Sequence, residues 1–312
     1  MDLQSTVYVA GHRGLVGSAI WRALQERGYA NLVARTSREL DLRDRDAVFR
    51  FFREQRIEYV FLAAAKVGGI RANNEYPADF IRDNLMIQTN VIDAAYEYEV
   101  RKLLFLGSTC IYPKYAPQPL KEEYLLTGEL EPTNAPYAVA KIAGITMCQS
   151  YNRQYGTRYI SAMPTNMYGP NDNFDLNTSH VLPALIRKIH EAKLSQSPEV
   201  EIWGTGTPRR EFLHADDLAD ACLFLMANYE DNDIVNVGVG EDISIKELAE
   251  LIQRIVGYGG ELRFNASIPD GTPRKLVDVT KLHSLGWKAA IPLEDGIRAV
   301  YEQYCSGLEI KV

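Results

Sequence analysis

The sequence predicts an α/β fold in which helices cover both faces of a parallel sheet and a smaller α/β lobe is attached. Over the first two-thirds of the 312 residues, short apolar runs rich in β-branched residues alternate with longer amphipathic helical patterns. Such alternation is typical of a doubly wound parallel sheet, because right-handed crossovers return the chain to the sheet through helices. Strands are expected at 6–10, 31–34, 59–63, 103–107 and 159–163. Helices are expected at 18–27, 44–55, 79–98 and 137–155.

The pattern loosens after Pro170, where we place the start of the smaller lobe. A polar loop at 171–178, a helix at 180–192 and a strand at 200–203 are expected there, whereas a helix at 216–227 and a strand at 233–237 indicate a return to the main sheet. Ser244 and Glu247 have the spacing of a capping box that opens a helix at 245–256. The predicted main unit is therefore 1–170, completed by about 211–240, and the smaller lobe comprises 171–210 and 241–312.

Composition favours a soluble cytoplasmic protein with reduced thiols. The chain is 46% hydrophobic and 24% charged, it has no run of about 18 apolar residues that could span a membrane, and its first residues lack the order of a signal peptide. The four cysteines (Cys110, Cys148, Cys222 and Cys305) are scattered, which argues against disulfides and a zinc site, so no metal is expected. A net charge of −7 argues weakly against a nucleic-acid partner.

A glycine-rich turn lies between the first predicted strand and the first predicted helix. Glycines allow a tight turn and a close approach of the backbone to a pyrophosphate, whose charge is favoured at a helix N-terminus. A glycine pattern alone also fits an ordinary tight turn, but its place between strand and helix favours dinucleotide binding. The expected cofactor contacts in this turn are Gly11, His12, Arg13, Gly14, Leu15, Val16 and Gly17.

The end of the second predicted strand carries cations where NAD-binding proteins usually carry an acid for the ribose hydroxyls. The residues there are Arg35, Thr36, Ser37 and Arg38. Together with Arg13, Arg35 is suited to a 2′-phosphate, which an acid would repel, so the sequence favours NADP(H) over NAD(H). A solvated basic surface is the competing interpretation.

A tyrosine and a lysine four residues apart, Tyr137 and Lys141, fall on one face of a predicted helix. A nearby ammonium favours phenolate, so Lys141 is expected to lower the pKa of Tyr137 below about 10 and help it to donate a proton to a carbonyl that receives a hydride. Ser108, just after the fourth strand, is placed to hydrogen-bond the same oxygen. Tyr-x-x-x-Lys is common on helix surfaces, and the glycine turn upstream is what makes the combination specific.

The joint order of glycine turn, serine and Tyr-x-x-x-Lys resembles the extended short-chain dehydrogenase/reductase family, which implies a Rossmann fold and a Ser108–Tyr137–Lys141 triad. Longer segments between residue 7 and about residue 290 resemble the GDP-L-fucose synthase family within it. These segments are 63–70, 103–114, 130–134, 163–174, 179–183, 203–208 and 269–275. The resemblance implies 3,5-epimerisation of GDP-4-keto-6-deoxy-D-mannose followed by NADPH-dependent reduction at C4.

The same resemblance assigns roles to single residues. It implies that Cys110 and His180 are the base and acid of epimerisation. Without the resemblance, Cys110 would be interpreted as a small buried thiol and His180 as a capping or surface histidine at a helix start. Thr109 departs from the expected serine, and Lys188 stands where some members carry arginine, which could loosen bidentate phosphate binding. Further cofactor contacts implied are Leu106, Lys141, Pro164, Asn166, Met167 and His180. The implied substrate contacts are Asn166, Lys188, Trp203, Arg210 and Asp270.

A 4-epimerase or 4,6-dehydratase of the same fold is the nearest rival, but such enzymes retain NAD(H), which the basic residues after strand two disfavour. A non-catalytic dinucleotide sensor would not need Tyr137 and Lys141 in register. The resemblance also implies a homodimer in which helices 79–98 and 137–155 pair with their symmetry mates. The apolar residues available for packing include Phe80, Ile87, Ile92, Ile145 and Met147, and some of these side chains must face the protein's own sheet.

Overall fold

A computed structural model describes residues 1–176, 178–268 and 270–309. Asn177 of the predicted polar loop, Pro269 of segment 269–275 and residues 310–312 of the predicted smaller lobe lie outside the described residues. The strands are β1 (Val7–Ala10), β2 (Leu32–Val33), β3 (Tyr59–Leu62), β4 (Lys102–Leu106), β5 (Tyr159–Pro164), β6 (Asn166–Tyr168), β7 (Glu199–Trp203), β8 (Arg209–Arg210), β9 (Phe212–His214), β10 (Val235–Val237), β11 (Ile243–Ser244), β12 (Glu261–Asn265) and β13 (Arg274–Lys275).

The helices follow the same chain order. They are α1 (Leu15–Glu26), α2 (Arg45–Gln55), α3 (Ile70–Glu75), α4 (Pro77–Glu97), α5 (Ala135–Tyr155), α6 (Val181–Leu194), α7 (Ala215–Asn228), α8 (Ile245–Val256), α9 (Thr280–Ser284) and α10 (Leu293–Glu309). Short 3-10 turns occur at Thr109–Ile111 and Glu122–Tyr124.

The predicted doubly wound parallel sheet is confirmed. Within the described part of the chain, six strands pair in the order β10-β5-β4-β3-β1-β2, and every neighbouring pair is parallel. Strand order reverses at β1, because β2 lies on one side of it and β3 on the other. The predicted return of 233–237 to this sheet is confirmed, since β10 pairs with β5.

Both faces of this sheet are covered, which is why its strands are almost continuously apolar. Tyr8 and Phe105 point into a core closed by α2, α4 and α5. Val9 and Leu104, one position along on the same strands, point into a second core closed by α1 and α7. Because successive side chains of a strand point to opposite faces of the sheet, each of these strands contributes residues to two separate cores.

A third core lies among α6, α8, α10 and β7. Helix α8 begins at the predicted capping box, in which the Ser244 side chain accepts from the Glu247 backbone and the Glu247 carboxylate accepts from the Ser244 backbone. Around this core, β7 pairs with β12, and β8 lies between β11 and β13. The division of the chain into two units with the predicted boundaries stays a prediction.

Three of the residues proposed for packing between subunits are already buried within the chain. Phe80, Ile92 and Ile145 are 3%, 0% and 0% exposed, so these three are the side chains that face the protein's own interior. The outer surface of α4 and α5 exposes different apolar residues, among them Met86 and Val139. None of the helices described is both long and apolar enough to cross a membrane.

Candidate active site

The carboxyl edge of the main sheet brings the predicted site residues together. Gly11 follows β1, Arg35 lies two residues past β2, Ser108 follows Leu106 of β4, and Pro164 ends β5. In open parallel sheets a ligand binds at this edge, beside the strand at which the order reverses. That strand is β1 here, so the glycine turn lies at the switch point.

The glycine turn has the backbone geometry that a dinucleotide requires. Gly11 has φ +85°, and a Cβ atom there would lie 2.8 Å from the backbone nitrogen of Ala64. A side chain at Gly17 would collide with the carbonyl oxygen of Gly11, so α1 can pack tightly on the turn only with glycine there. Gly14 precedes the first residue of α1 and has no side chain that could cap the helix. The first N–H groups of α1 are therefore directed at whatever binds above the turn, which fits a pyrophosphate.

The basic end of β2 contains an acid that the sequence-based reasoning did not single out. Glu39 accepts hydrogen bonds from the backbone nitrogen and hydroxyl of Thr36 at 2.7 and 2.8 Å. These bonds, together with the charges of Arg35 and Arg13, hold the pKa of the Glu39 carboxyl below its usual range. The Arg35 guanidinium donates to the Ala34 carbonyl at 2.7 Å, which fixes it at the strand end. Arg13 and Arg35 thus act on one small region, as a 2′-phosphate site requires.

Lys141 lies on α5 beneath Tyr137 and is almost completely buried. Its Nζ donates to the Leu106 carbonyl at 2.7 Å and lies 5.8 Å from the centre of the Tyr137 ring. Burial lowers the pKa of Lys141 to about 8. The ammonium is thereby fixed between the end of β4 and the phenol, and both predicted partners share one helix face.

The pKa of Tyr137 moves in the direction opposite to that predicted. Burial raises it, the nearby Cys110 raises it further, and a hydrogen bond with Ser108 lowers it only in part. The prediction that Lys141 would lower it was wrong for this state, because desolvation of the phenolate dominates. The phenol is consequently protonated at neutral pH, which is the form that can donate a proton to a carbonyl oxygen.

Cys110 lies in the 3-10 turn that follows Ser108. Its backbone N–H donates to Ser108 Oγ at 3.2 Å, and its Sγ accepts from Asn134 Nδ2 at 3.6 Å. Because Cys110 also acts on the phenol of Tyr137, the thiol and the reductase triad belong to one site. All four cysteines are free thiols, and Cys148 and Cys222 are buried in the cores.

His180 immediately precedes the first residue of α6. Its ring is accessible to solvent but surrounded by protein, and this partial desolvation together with the charge of Lys275 lowers its pKa. Lys275 also lines the pocket beside Cys110. The cation of β13 therefore links the surroundings of the two residues predicted to exchange protons with substrate.

The predicted substrate residues form a second group at the edge of the third core. Lys188 Nζ lies 4.5 Å from the centre of the Trp203 ring, which is 55% exposed. The charge of Asp270 acts on Arg210, whose own pKa is lowered by burial. Asp270 also fixes the 204–207 loop, because Oδ1 accepts from the Thr205 backbone at 2.9 Å. An exposed indole beside three charged groups suits a nucleobase and a diphosphate.

The remaining predicted contacts lie at strand ends. Pro164 ends β5, and Met167 lies just past it. Asn166 Nδ2 donates a hydrogen bond to the backbone carbonyl of Glu211 at 2.8 Å. Asn134, Lys275 and Glu39 were not assigned roles from the sequence. The first two lie within segments that carry the family resemblance, 130–134 and 269–275, which was the available signal.

These features define a dinucleotide-dependent oxidoreductase site of the short-chain type, with a thiol and an imidazole added. The chain belongs to the NAD dependent epimerase/dehydratase family, whose model matches residues 7–238. It is 59% identical over 303 residues to GDP-L-fucose synthase 1 of Arabidopsis thaliana, covering 97% of this chain and 94% of that protein. It is 57% identical over 307 residues to GDP-L-fucose synthase of Escherichia coli K12, covering 96% of each.

A solved structure of similar shape carries a related name. The GDP-mannoheptose C4 reductase MlghC of Campylobacter jejuni, solved with NADP bound, superimposes with a TM-score of 0.91 at 48% identity. The alignment covers 98% of this chain and 99% of that one.

Proposed function

We propose that this enzyme converts GDP-4-keto-6-deoxy-D-mannose to GDP-L-fucose by epimerisation at C3 and C5 and NADPH-dependent reduction at C4. The observation that carries the proposal is that Cys110 lies close enough to the Ser108–Tyr137–Lys141 triad to act on the Tyr137 phenol. His180 is linked to this site through Lys275, which acts on His180 and lines the pocket beside Cys110. Identities of 57–59% over nearly the whole chain to proteins named GDP-L-fucose synthase support the same reaction.

NADP(H) is the cofactor, and the described residues fit it. The glycine cradle of Gly11 and Gly17 and the uncapped start of α1 would hold the pyrophosphate, while Arg13 and Arg35 would hold the 2′-phosphate. When bound, NADPH supplies the hydride for C4. The protein's own part is to hold the nicotinamide end near Leu106, Pro164, Asn166 and Met167.

Reduction at C4 needs a proton on the oxygen as the hydride arrives. Tyr137 is protonated and hydrogen-bonded to Ser108, so it can donate that proton while the serine hydroxyl steadies the oxygen. As the phenol loses its proton, the nearby Lys141 ammonium stabilises the phenolate.

Epimerisation uses the same ketone, which acidifies the protons at C3 and C5. The thiolate of Cys110 removes one of them, and the electron pair moves into an enolate whose oxygen is O4. His180 returns a proton to the opposite face. Its lowered pKa makes its cation a stronger acid and also reduces the fraction of His180 that carries this proton at neutral pH. The enolate oxygen lies at Ser108 and Tyr137, so both half-reactions use one oxygen site.

The GDP moiety is assigned to the group around Trp203. The exposed indole would stack on guanine, and Lys188, Arg210 and Asp270 would contact the diphosphate and its sugars. We also propose that the substrate-binding lobe comprises 171–210 and 241–312, and that 1–170 with about 211–240 binds NADP(H). The third core, which holds α6 and α8, supports this division.

Separating the half-reactions tests the proposal. Cys110→Ser should stop deuterium from heavy water entering C3 and C5 but leave the protein able to reduce a suitable ketone with NADPH. Tyr137→Phe should abolish NADPH oxidation and permit much of the exchange. Exchange at the wild-type rate in Cys110→Ser, or normal NADPH oxidation in Tyr137→Phe, would contradict the roles assigned.

A simple C4 reductase is the second candidate, because MlghC carries that name at 48% identity. A wild-type protein that reduces its ketone without any exchange at C3 or C5 would support this candidate and exclude the epimerase role.

We further propose a cytoplasmic homodimer. Reduced thiols fit the cytoplasm, and Met86 on α4 and Val139 on α5, 40% and 44% exposed, offer apolar contact across a four-helix interface. Sedimentation should give a dimer at micromolar concentration, and Met86→Glu should shift it towards monomer. A wild-type monomer would reject the assembly.

A further inference from the structure

Asn134 contacts the sulfur of Cys110, and nothing in the reaction described above uses this contact. Its Nδ2 lies 3.6 Å from Cys110 Sγ and donates a hydrogen bond to it. A donor on sulfur favours the charged thiolate over the thiol, since hydrogen bonds to the charged form stabilise that form. The thiolate is the form that can remove a proton from carbon.

The side chain of Asn134 does not cap the helix that it precedes. Asn134 immediately precedes α5, where an asparagine usually caps the helix by accepting a hydrogen bond from the first turn. In this structure no such side-chain bond forms. The turn before the helix is held instead by Glu131, whose Oε2 accepts from the backbone nitrogens of Thr133 and Asn134 at 3.0 and 3.2 Å. Asn134 is thus fixed through its backbone while its amide is directed at Cys110.

The other end of the same amide is unsatisfied. Asn134 Oδ1 is buried and has no hydrogen-bond partner in the described structure, and Asn134 and Cys110 line one polar pocket. A buried carbonyl oxygen without a donor is costly in a folded protein. An unsatisfied acceptor beside a reactive thiol is consistent with a donor, such as a sugar hydroxyl, arriving with the substrate.

We propose that Asn134 is a positioning residue for the epimerisation base, holding the Cys110 sulfur through Nδ2 and stabilising its thiolate. This inference rests on the proposed function only for the role of Cys110 as the base. The contact itself can be tested without substrate.

Other charged groups also face Cys110 and have to be held constant in a test. Lys114 and Glu131 approach from the loops, Arg274 and Lys275 approach from β13, and the Tyr137 phenol lies on α5. Substitutions at Asn134 leave all five in place, so a change in the behaviour of the thiol reports on the amide.

The first experiment measures the rate of iodoacetamide alkylation at Cys110 against pH, in a Cys305→Ser background. Cys148 and Cys222 are 0% exposed, which leaves Cys110 as the reactive thiol. Asn134→Ser is too short to reach the sulfur, and Asn134→Asp keeps the shape but replaces the donor with an anion. Both residues are favoured before a helix, so α5 should be retained.

We expect Asn134→Ser to slow alkylation at neutral pH about tenfold and to move the profile to higher pH, and Asn134→Asp to do both to a greater extent. Asn228→Ser is the matched control, because Asn228 is an exposed residue at the end of α7 whose side chain donates to the Phe224 carbonyl of its own helix. Its profile should match that of the parent. Unchanged midpoints in both Asn134 variants would overturn the proposal.

Deuterium exchange with the GDP-keto sugar distinguishes a failure of the epimerase function from a failure of the positioning role of Asn134. If wild-type protein exchanges at C3 and C5 and Asn134→Ser shifts the exchange profile as it shifts alkylation, the positioning role is supported. If alkylation shifts but wild-type protein does not exchange, the epimerase function fails and the Asn134–Cys110 contact stands. If wild-type protein exchanges and neither Asn134 variant shifts alkylation, the proposed positioning role fails.

Discussion

Burial of Lys141 should make the enzyme's stability depend on pH in a way that one substitution can isolate. The residue is 4% exposed, its ammonium bonds the Leu106 carbonyl, and desolvation lowers its pKa from 10.5 to about 8. At about 1.4 kcal/mol for each unit between these two pKa values, keeping Lys141 charged lowers the free energy of unfolding by about 3 kcal/mol.

The direction in which stability changes with pH follows from the number of protons that Lys141 binds in the folded and in the unfolded state. Below pH 8 both states are protonated and the full cost is present. Between about pH 8 and 10.5 the unfolded chain keeps the proton that the folded protein has lost, so raising the pH stabilises the folded state. Above 10.5 Lys141 is neutral in both states and the cost is gone.

Lys141→Met removes this dependence and keeps a similar side-chain volume. The free energy of unfolding in urea, measured without cofactor from pH 7 to 10.5, should rise for wild type relative to Lys141→Met by about 3 kcal/mol across that range. Other titrating groups are common to both proteins and cancel in the difference. The variant should be inactive although it is the more stable at pH 7, as expected where a strained site serves function. A flat difference between pH 8 and 10.5 would refute the reasoning.

Three further substitutions address the cofactor, the fold and the nucleotide site. Replacing Arg13 and Arg35 together by alanine should weaken NADPH binding by about 2 kcal/mol more than NADH binding, because only NADPH carries the 2′-phosphate; fluorescence titrations giving equal losses would contradict this. Glu211→Ala should cost about 3 kcal/mol or more in urea unfolding, since a fully buried carboxylate that accepts from three backbone N–H groups is lost, and Glu211→Gln should cost less. Trp203→Ala should weaken GDP binding by about 1–3 kcal/mol in calorimetry if the indole stacks on guanine, and an unchanged affinity would remove it from the site.

Much of the fold was predictable because long apolar patterns leave few choices. β1, β3, β4 and β5 begin or end within a residue or so of the predicted bounds, and α8 has the predicted bounds, fixed by its capping box. Strands such as β8, β11 and β13 have two residues each, too few to show any periodicity. Their positions depend on pairing with one another across the chain, which no local pattern reveals.

The candidate site likewise has some features that sequence spacing predicts and others that only the folded structure determines. Gly11, Ser108, Tyr137 and Lys141 form patterns with fixed spacing, so their chemistry could be predicted. The direction of the Tyr137 pKa could not, because burial is a property of the folded packing. Lys275 acts on His180 across almost a hundred residues of chain, and only the fold brings them together.

Among the residues proposed for the two half-reactions, Cys110 lies beside the reductase triad, whereas His180 stands at the start of an element of the third core. Ser108, Tyr137 and Lys141 stand on β4 and α5, whose side chains share the cores of the main sheet. His180 begins α6, which is packed into the third core. On the roles proposed above, a small shift of α6 relative to β4 would move His180 relative to Cys110 but leave Ser108 and Tyr137 in place. The Glu211 carboxylate accepts from the backbone after β10 and from that of Val277 after β13, and so connects the main sheet to the sheet of β11, β8 and β13. With these proposed roles, epimerisation depends on the position of α6 relative to the main sheet more than reduction does.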